Sequence, residues 1–558
     1  MKRISILLLT FVASGMLASA QIAPDKYYVQ FTDKDNSPYS IGNPEEYLSQ
    51  RSIDRRTAYN IPIDMKDIPV NPQYLQGVKN AGASILNPTK WLNGVTIYTT
   101  NPSVVVAIEA LPYVQSVDKS PVSPGNTEIE KTFFMNESYG VAPAVNAQIK
   151  SVSVYDYGPS YSQISMIKGD QMHELGYRGK GIIIGVLDAG FDNADELPVF
   201  DTLWNNGQIL GTRDFVDGGD VTFNKHFHGT MVLSTMGGNY PGEIVGTAPE
   251  ASYYLLRTED GGSEYIIEEY NWVSGAEYAD SLGADVLNTS LGYSDFPDDP
   301  AHNHTYEDMD GNTTPITIGA DVAASRGMVV VNSAGNSGTS SWYSITAPAD
   351  GDSVFTIGAV NSQGVPAGFS SNGPTYDGRT KPNVVAQGEG AYFASPNGSF
   401  LYGNGTSFSS PIIAGMMACL WQANPDTNNM ALINAVQESG SIAAAPDNKI
   451  GYGIPDFMAA LNILTVIEND EEAVLTQINL YPNPFTSYFV LNVRSEMNAN
   501  ARLAVVDMTG RTVFENEYLV SRGMNNIRVS ALDNIPAGIY FLRMESANSV
   551  ITTKLIRQ

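Results

Sequence analysis

An α/β fold on a parallel sheet is what the middle of this 558-residue sequence predicts, and three observations lead there. Gly181–Leu187 is an unbroken apolar run, as a strand buried on both faces requires. Similar short runs recur at Ala251–Leu256, Ala284–Leu287 and Gly327–Val331. Helical spacings such as Glu264–Ser281 and Ile318–Ser325 lie between them, and strands alternating with helices signal parallel pairing through helical crossovers.

The chain opens with Lys2 and Arg3, an apolar stretch Ile4–Leu17 and then Ala18-Ser19-Ala20. That order is a secretory signal peptide over residues 1–20. A membrane anchor is the alternative, but the apolar core is shorter than about 20 residues and lacks a stop-transfer flank. Residues 21–125 read as a small α+β unit. Tyr27–Phe31 alternates like a strand, Ser103–Leu111 has helical spacing, and Tyr113–Val117 reads as another strand. The α/β pattern occupies 150–465, and the charged stretch Glu468–Glu472 suits a linker. From 475 to 558, short alternating runs are divided by turn signals at Pro482-Asn483-Pro484 and Thr509-Gly510, which predicts a small β-sandwich.

Acidic residues outnumber basic ones 59 to 31, giving a net charge of −28. Such a field repels phosphate backbones, so no nucleic-acid partner is expected. One cysteine, Cys419, rules out a disulfide framework and a Cys-rich zinc site.

Polar residues gather where the strands end. Asp188 closes the first run, Asn288-Thr-Ser-Leu-Gly292 follows the third, and Asn332-Ser-Ala-Gly-Asn336 follows the fourth. In open α/β sheets, sites collect at such carboxyl ends; a single Asp there is more often a turn or cap residue. His228-Gly229-Thr230 opens a small-residue helix to Met236, and Gly229 lets another backbone approach the imidazole. A weak metal pair, His226-x-His228, is the other reading of this block. Gly405–Gly415 sets Ser407 at the mouth of a helix that is apolar on all sides to about Trp421, and so is buried. Pro411 is expected in its first turn, where a missing N–H costs nothing. Ser407 by itself would be an N-cap serine.

Together these blocks resemble the signatures of subtilases, the subtilisin-like serine peptidases: Val-Leu-Asp188-Ala-Gly, His228-Gly-Thr and Gly-Thr-Ser407-x-x-Ser-Pro, in the order Asp, His, Ser. The resemblance implies a subtilisin-like parallel sheet flanked by helices, and a catalytic triad of Asp188, His228 and Ser407. It further implies an oxyanion hole at Asn336, with Ser290, Leu291 and Gly292 pairing with substrate backbone. Tyr157–Gly176 resembles the start of a mature subtilase and Gly451–Ile454 its end. The unit at 21–125 is similar to an inhibitory propeptide. Leu480–Phe485, Asp507-x-x-Gly510-Arg511, Ala537–Tyr540 and Lys554-Leu-Ile resemble a type IX secretion sorting domain of Bacteroidetes. A carbohydrate- or cell-binding module is the alternative for that last unit.

The function implied is a secreted or surface-held endopeptidase, made as a precursor and exported through the periplasm. Its partners would be polypeptide substrates, its own propeptide and the outer-membrane type IX machinery. No cofactor is required and no metal ligand is assigned. Subtilases often bind structural calcium, and Asp308-x-Asp310-Gly311 is a fragment of a calcium-loop pattern, but it lacks the distal glutamate and reads as a solvated loop. That fragment lies in an insertion, Asp298–Thr314, which also carries His302 and His304. Phe408 and Ser409 stand where the family usually has Met-Ala, Met231 where a second histidine is common, and Asn383 where Asp is usual. A catalytically silent binding protein on the same scaffold is the second reading. It would be expected to have lost one of the four catalytic positions, and none is lost.

Overall fold

Seven parallel strands carry the structure, a computed structural model that describes residues 23–118, 138–140, 154–465, 475–495, 499–520, 523–530, 532, 535–546 and 549–558. The signal-peptide and linker assignments fall outside these residues.

The N-terminal unit is a four-stranded antiparallel sheet of β1 (Lys26–Phe31), β2 (Ser84–Thr89), β3 (Gly94–Tyr98) and β4 (Val114–Val117), in the order β2-β3-β1-β4. Val29, Val78, Val95, Ile97 and Ile108 form its fully buried centre. The strands and the helix expected from the sequence are found. The β2–β3 hairpin and the helices Gln50–Ala58 and Pro72–Asn80 are added to them. A short strand, β5 (Ser138–Gly140), follows further along.

The large sheet contains β6 (Ile183–Asp188), β7 (Ile209–Asp214), β10 (Ser252–Arg257), β11 (Val286–Thr289), β12 (Val329–Ser333), β13 (Phe355–Val360) and β14 (Val384–Gln387). A small hairpin, β8 (Asn239–Tyr240) and β9 (Ile244–Val245), lies within that run of sequence. The spatial order is β14-β13-β12-β11-β6-β10-β7, so the chain reverses its direction of travel between β6 and β11. The crevice of an open α/β sheet lies at such a switch point. Along β6, Ile184 and Val186 pack with the helices His228–Gly237 and Thr406–Ala423. Leu187 packs on the other face with Trp272, Val273 and Ala320 of the helices Ile267–Leu282 and Pro315–Ser325. A strand covered on both faces has no polar side, which is why β6 reads as a continuous apolar run. It begins later than the run does, because Gly181 sits at φ +86, outside extended backbone.

Next to this sheet, β15 (Glu389–Ala394) and β16 (Phe400–Asn404) form an antiparallel pair whose free edge takes β5. The C-terminal unit is the expected sandwich. One sheet is β17 (Leu475–Tyr481), β18 (Phe489–Ser495) and β21 (Gly523–Val529). The other is β20 (Thr512–Val520), β19 (Ala499–Asp507), β22 (Gly538–Ser546) and β23 (Ser549–Arg557). Phe489, Leu491, Leu503 and Leu542 lie between the two sheets. The sandwich rests on the helix Asn429–Glu438, where a Cβ on Gly523 would fall 1.9 Å from a Glu438 carboxylate oxygen.

The N-terminal unit docks on the helix Ile267–Leu282 through buried charge. Asp280, with its side chain fully buried, pairs with Arg55 at 2.6 Å and Arg56 at 2.8 Å. Burial alone would raise its carboxyl, but Lys90, Arg56 and Arg55 outweigh that and hold it at about 2. Glu277 accepts the backbone N–H groups of Lys90 (2.7 Å) and Trp91 (2.8 Å). Here burial wins over the pull of Lys90 and the two amides, and Glu277 is pushed up to about 7.

A carboxyl whose value rises from 4.5 to about 7 on burial favours the docked state at low pH and opposes it progressively as pH climbs through that range. Asp280 titrates below this window. Hydrogen exchange on the full chain should therefore show the N-terminal unit less protected at pH 7.5 than at pH 5, with Glu277→Gln flattening the difference. Equal protection of the unsubstituted chain at both values would refute this. Asp280→Asn should loosen docking at both pH values by about 3–5 kcal/mol, since it strands two buried arginines.

Candidate active site

Each expected site residue lies at or just beyond a strand end, or at a helix mouth. Asp188 is the last residue of β6, and His228 begins the helix that packs beneath it. Their contact is a hydrogen bond of 2.8 Å between His228 Nδ1 and Asp188 Oδ1, with both side chains fully buried. Asp188 Oδ1 also accepts the Ala189 N–H at 2.8 Å. Burial pushes the Asp188 carboxyl above its ordinary range, against the pull of the His228 ring. With a carboxylate as acceptor, Nδ1 carries the imidazole proton and Nε2 presents its lone pair. Gly229 serves as the sequence suggested: a Cβ there would lie 2.4 Å from the Gly190 carbonyl oxygen.

Ser407 is the second residue of the helix Thr406–Ala423 and is fully buried. Its hydroxyl donates to the Ser290 carbonyl at 3.4 Å. The ring of Phe408, the next residue, lies 6.5 Å from the His228 ring, so the imidazole and this helix mouth are neighbours.

Pro411 corrects an expectation. It lies inside the helix rather than in the first turn, so it cannot donate to the carbonyl of Ser407, four residues back. Ser290 supplies the missing donor, its hydroxyl reaching that carbonyl at 3.0 Å. Asn288 donates to Ser290 Oγ at 3.3 Å and accepts from Ser410 at 3.2 Å, which ties the end of β11 to the same turn. Leu291 is buried, its carbonyl accepting from Asn332 at 3.3 Å. Gly292 is half-buried.

Asn336 follows β12. Its Oδ1 accepts from the Thr406 N–H (2.8 Å) and the Thr406 hydroxyl (2.9 Å). Those two donors fix the amide orientation, and they leave the Asn336 Nδ2 buried with no protein partner among the described residues. The Thr406 hydroxyl in turn accepts the Gly335 N–H at 3.2 Å. Thr406 stands inside the Gly-Thr-Ser block, but its orienting role has no signal in the sequence.

The other candidates are engaged elsewhere. His226 stacks on Phe227 at 4.2 Å and accepts the His228 N–H, while His228 faces Asp188, so the two rings of the weak metal pair point to different partners. His302 pairs with Asp299, and His304 with Glu269 at 2.5 Å. Asp308 caps the turn at Thr305, and Asp310 accepts from Asn312 and Thr313 of its own loop. Among the described residues no group of three or more His, Cys, Asp or Glu is placed to hold a metal ion. Cys419 is buried, its thiol pushed up by desolvation and donating to the Thr247 carbonyl at 3.1 Å.

Subtilisin DY of Bacillus licheniformis is 30% identical to this chain over 281 residues, covering 50% of this chain and 90% of its own. The chain belongs to the subtilase family. The match to that family runs over residues 179–453. Subtilisin E of Bacillus subtilis (strain 168) is 31% identical over 294 residues, 52% of this chain and 68% of its own. The crystal structure of MycP1 from Mycobacterium smegmatis aligns at 21% identity over 61% of this chain and 90% of its own, with a TM-score of 0.44. Residues 26–132 match the peptidase S8 propeptide domain of Bacteroidota, and residues 479–558 match the secretion system C-terminal sorting domain. This subtilase is thus a secreted serine-type endopeptidase made as a precursor, with its propeptide ahead of the peptidase and a type IX sorting domain behind it.

Because Ser290 answers for a donor that Pro411 lacks, Ser290→Ala should orphan a buried carbonyl and lower stability by about 1–3 kcal/mol. The double variant Ser290→Ala with Pro411→Ala restores a helical N–H and should recover most of that loss. Denaturant midpoints decide it, and no recovery in the double variant would show that the Ser290 bond is not the helix's missing one.

Proposed function

We propose that Ser407 is the nucleophile of this subtilase, His228 its general base and acid, and Asp188 the carboxylate that holds the imidazole. A serine hydroxyl is a weak nucleophile at its own pKa and needs a base within hydrogen-bond reach. The observation that carries the reading is the 2.8 Å Asp188–His228 bond, which leaves Nε2 as the basic nitrogen. Ser407 attacks the scissile carbonyl, its proton passes to His228, and the leaving amine takes that proton as the acyl-enzyme forms. Water then repeats the cycle on the ester. Asn336 Nδ2 and the Ser407 N–H, at a helix N-terminus, receive the developing oxyanion. Ser290, Leu291 and Gly292 pair with the acyl side of the substrate backbone. Every group in this scheme comes from the chain itself, so no cofactor is called for.

For the units we propose boundaries of 1–20 for the signal peptide, 21–125 for the propeptide, 150–465 for the peptidase and 475–558 for the sorting domain. The last of these would be handed to the outer-membrane type IX machinery.

Ser407→Ala should remove hydrolysis, by a factor on the order of 10⁶ as in subtilisin, and should abolish labelling by a fluorophosphonate probe. Normal turnover by that variant would sink the assignment. Asn336→Leu should lower kcat by about 10²–10³ with KM little changed. A loss confined to KM would make Asn336 a substrate-binding residue.

A further inference from the structure

Beside the proposed nucleophile, a strand of the enzyme's own chain is already seated. β5 pairs antiparallel with the free edge of β16: Ser138 lies opposite Asn404, Tyr139 opposite Gly403 and Gly140 opposite Tyr402. β16 runs toward Ser407, its last residue standing three positions before it. An antiparallel partner runs away from Ser407, so the end of β5 nearest the nucleophile is its N-terminal end. A polypeptide lying this way places its scissile carbonyl upstream of Ser138, and Ser138–Gly140 belongs to the part that departs as the amine.

The side chain of Tyr139 enters an aromatic enclosure. Its ring meets Phe227 at 6.2 Å, Phe393 at 6.0 Å and Phe408 at 6.3 Å, in each case edge-on, with interplanar angles of 88°, 88° and 76°. Edge-to-face contacts at these separations are attractive beyond simple area burial. Phe393 and Phe408 are themselves stacked at 4.3 Å and fully buried. With Met231 and Ala391 they form a small apolar cluster separate from the main core. Two of the three walls adjoin the proposed catalytic residues in sequence: Phe227 precedes His228, and Phe408 follows Ser407. Phe408 and Met231 are also two of the positions at which this chain departs from the usual subtilase residues.

We propose that Phe227, Phe393 and Phe408 with the edge of β16 form a leaving-group-side subsite that selects an aromatic side chain, and that Tyr139 is its first occupant, so that the precursor is cut N-terminal to Ser138. This rests on Ser407 as the nucleophile. In that cut the peptide C–N bond breaks as the Ser407 ester forms, the amine carrying β5 takes the proton from His228, and water later releases the new carboxylate. Once β5 withdraws, the same edge and enclosure receive substrate.

The test uses the matured enzyme and quenched fluorescent peptides of one fixed acyl side, with Tyr, Phe, Leu or Ala placed in turn at each position after the scissile bond. At one position kcat/KM should favour Tyr and Phe over Ala by about tenfold or more. Phe393→Leu should compress that ratio to about threefold or less. A Tyr-to-Ala ratio within twofold at every position in the unsubstituted enzyme overturns the subsite, whether or not the Leu variant folds. N-terminal sequencing of enzyme matured from purified precursor should find Ser138–Gly140 in the mature chain, with a first residue at or before Ser138; any first residue beyond Ser138 overturns the proposed cut and Tyr139 as occupant. Failure of the Ser407 reading would look different: hydrolysis and fluorophosphonate labelling would survive Ser407→Ala.

Discussion

The turn at Thr406–Ser407 is held from two sides, and the geometry of the site depends on that restraint. Pro411 takes a donor out of the helix, Ser290 replaces it from the end of β11, and Asn336 grips Thr406 from the end of β12. Without those bonds the first turn of a buried helix would carry an orphan carbonyl, worth about 1–3 kcal/mol, and could relax by shifting. With them, the hydroxyl of Ser407, its backbone N–H and the Asn336 amide are placed by two strands of the sheet. Donors fixed in advance need no reorganisation when charge develops, which is where most of the benefit of the proposed oxyanion site would arise.

The docking of the propeptide is built on a different principle. Its contact with the helix Ile267–Leu282 centres on one carboxylate, Asp280, shared by two arginines. Arg326 of the peptidase reaches back to Asp64 (2.9 Å) and Asp67 (3.1 Å) of the propeptide. The buried pairs among these, Asp280 with Arg55 and Arg56 and Arg326 with Asp67, gain little net stability over apolar packing, but each is severely destabilised when misaligned. They therefore fix one docked orientation, while Tyr28 stacked on Tyr270 at 4.1 Å adds contact area.

The parallel sheet was legible in the sequence because strands buried on both faces cannot alternate, and β6, β10 and β12 do not. Asp188, His228, Ser407 and Asn336 stand out in the sequence as candidates because each lies in a short block whose order carries information. Pro411 was misplaced because its depth depends on where the helix begins, and Thr406 rather than a later residue opens it. The helix Gln50–Ala58 escaped notice because its buried face is arginine and serine, which have no apolar period. The orienting hydroxyls of Ser290 and Thr406 look like any other serine and threonine until their partners are known. The aromatic enclosure draws on residues 139, 227, 393 and 408, and no spacing rule joins positions so far apart.

Parallel strands give a sheet two unlike ends, and the molecule uses both. The site gathers where β6, β11 and β12 finish. The sorting domain sits at the other end, beside Asp352–Val354 and Lys381–Asn383, which lead into β13 and β14, and against the helix Asn429–Glu438. A protein held by its tail at the cell envelope would thus hold its cleft outward, toward the polypeptides around it.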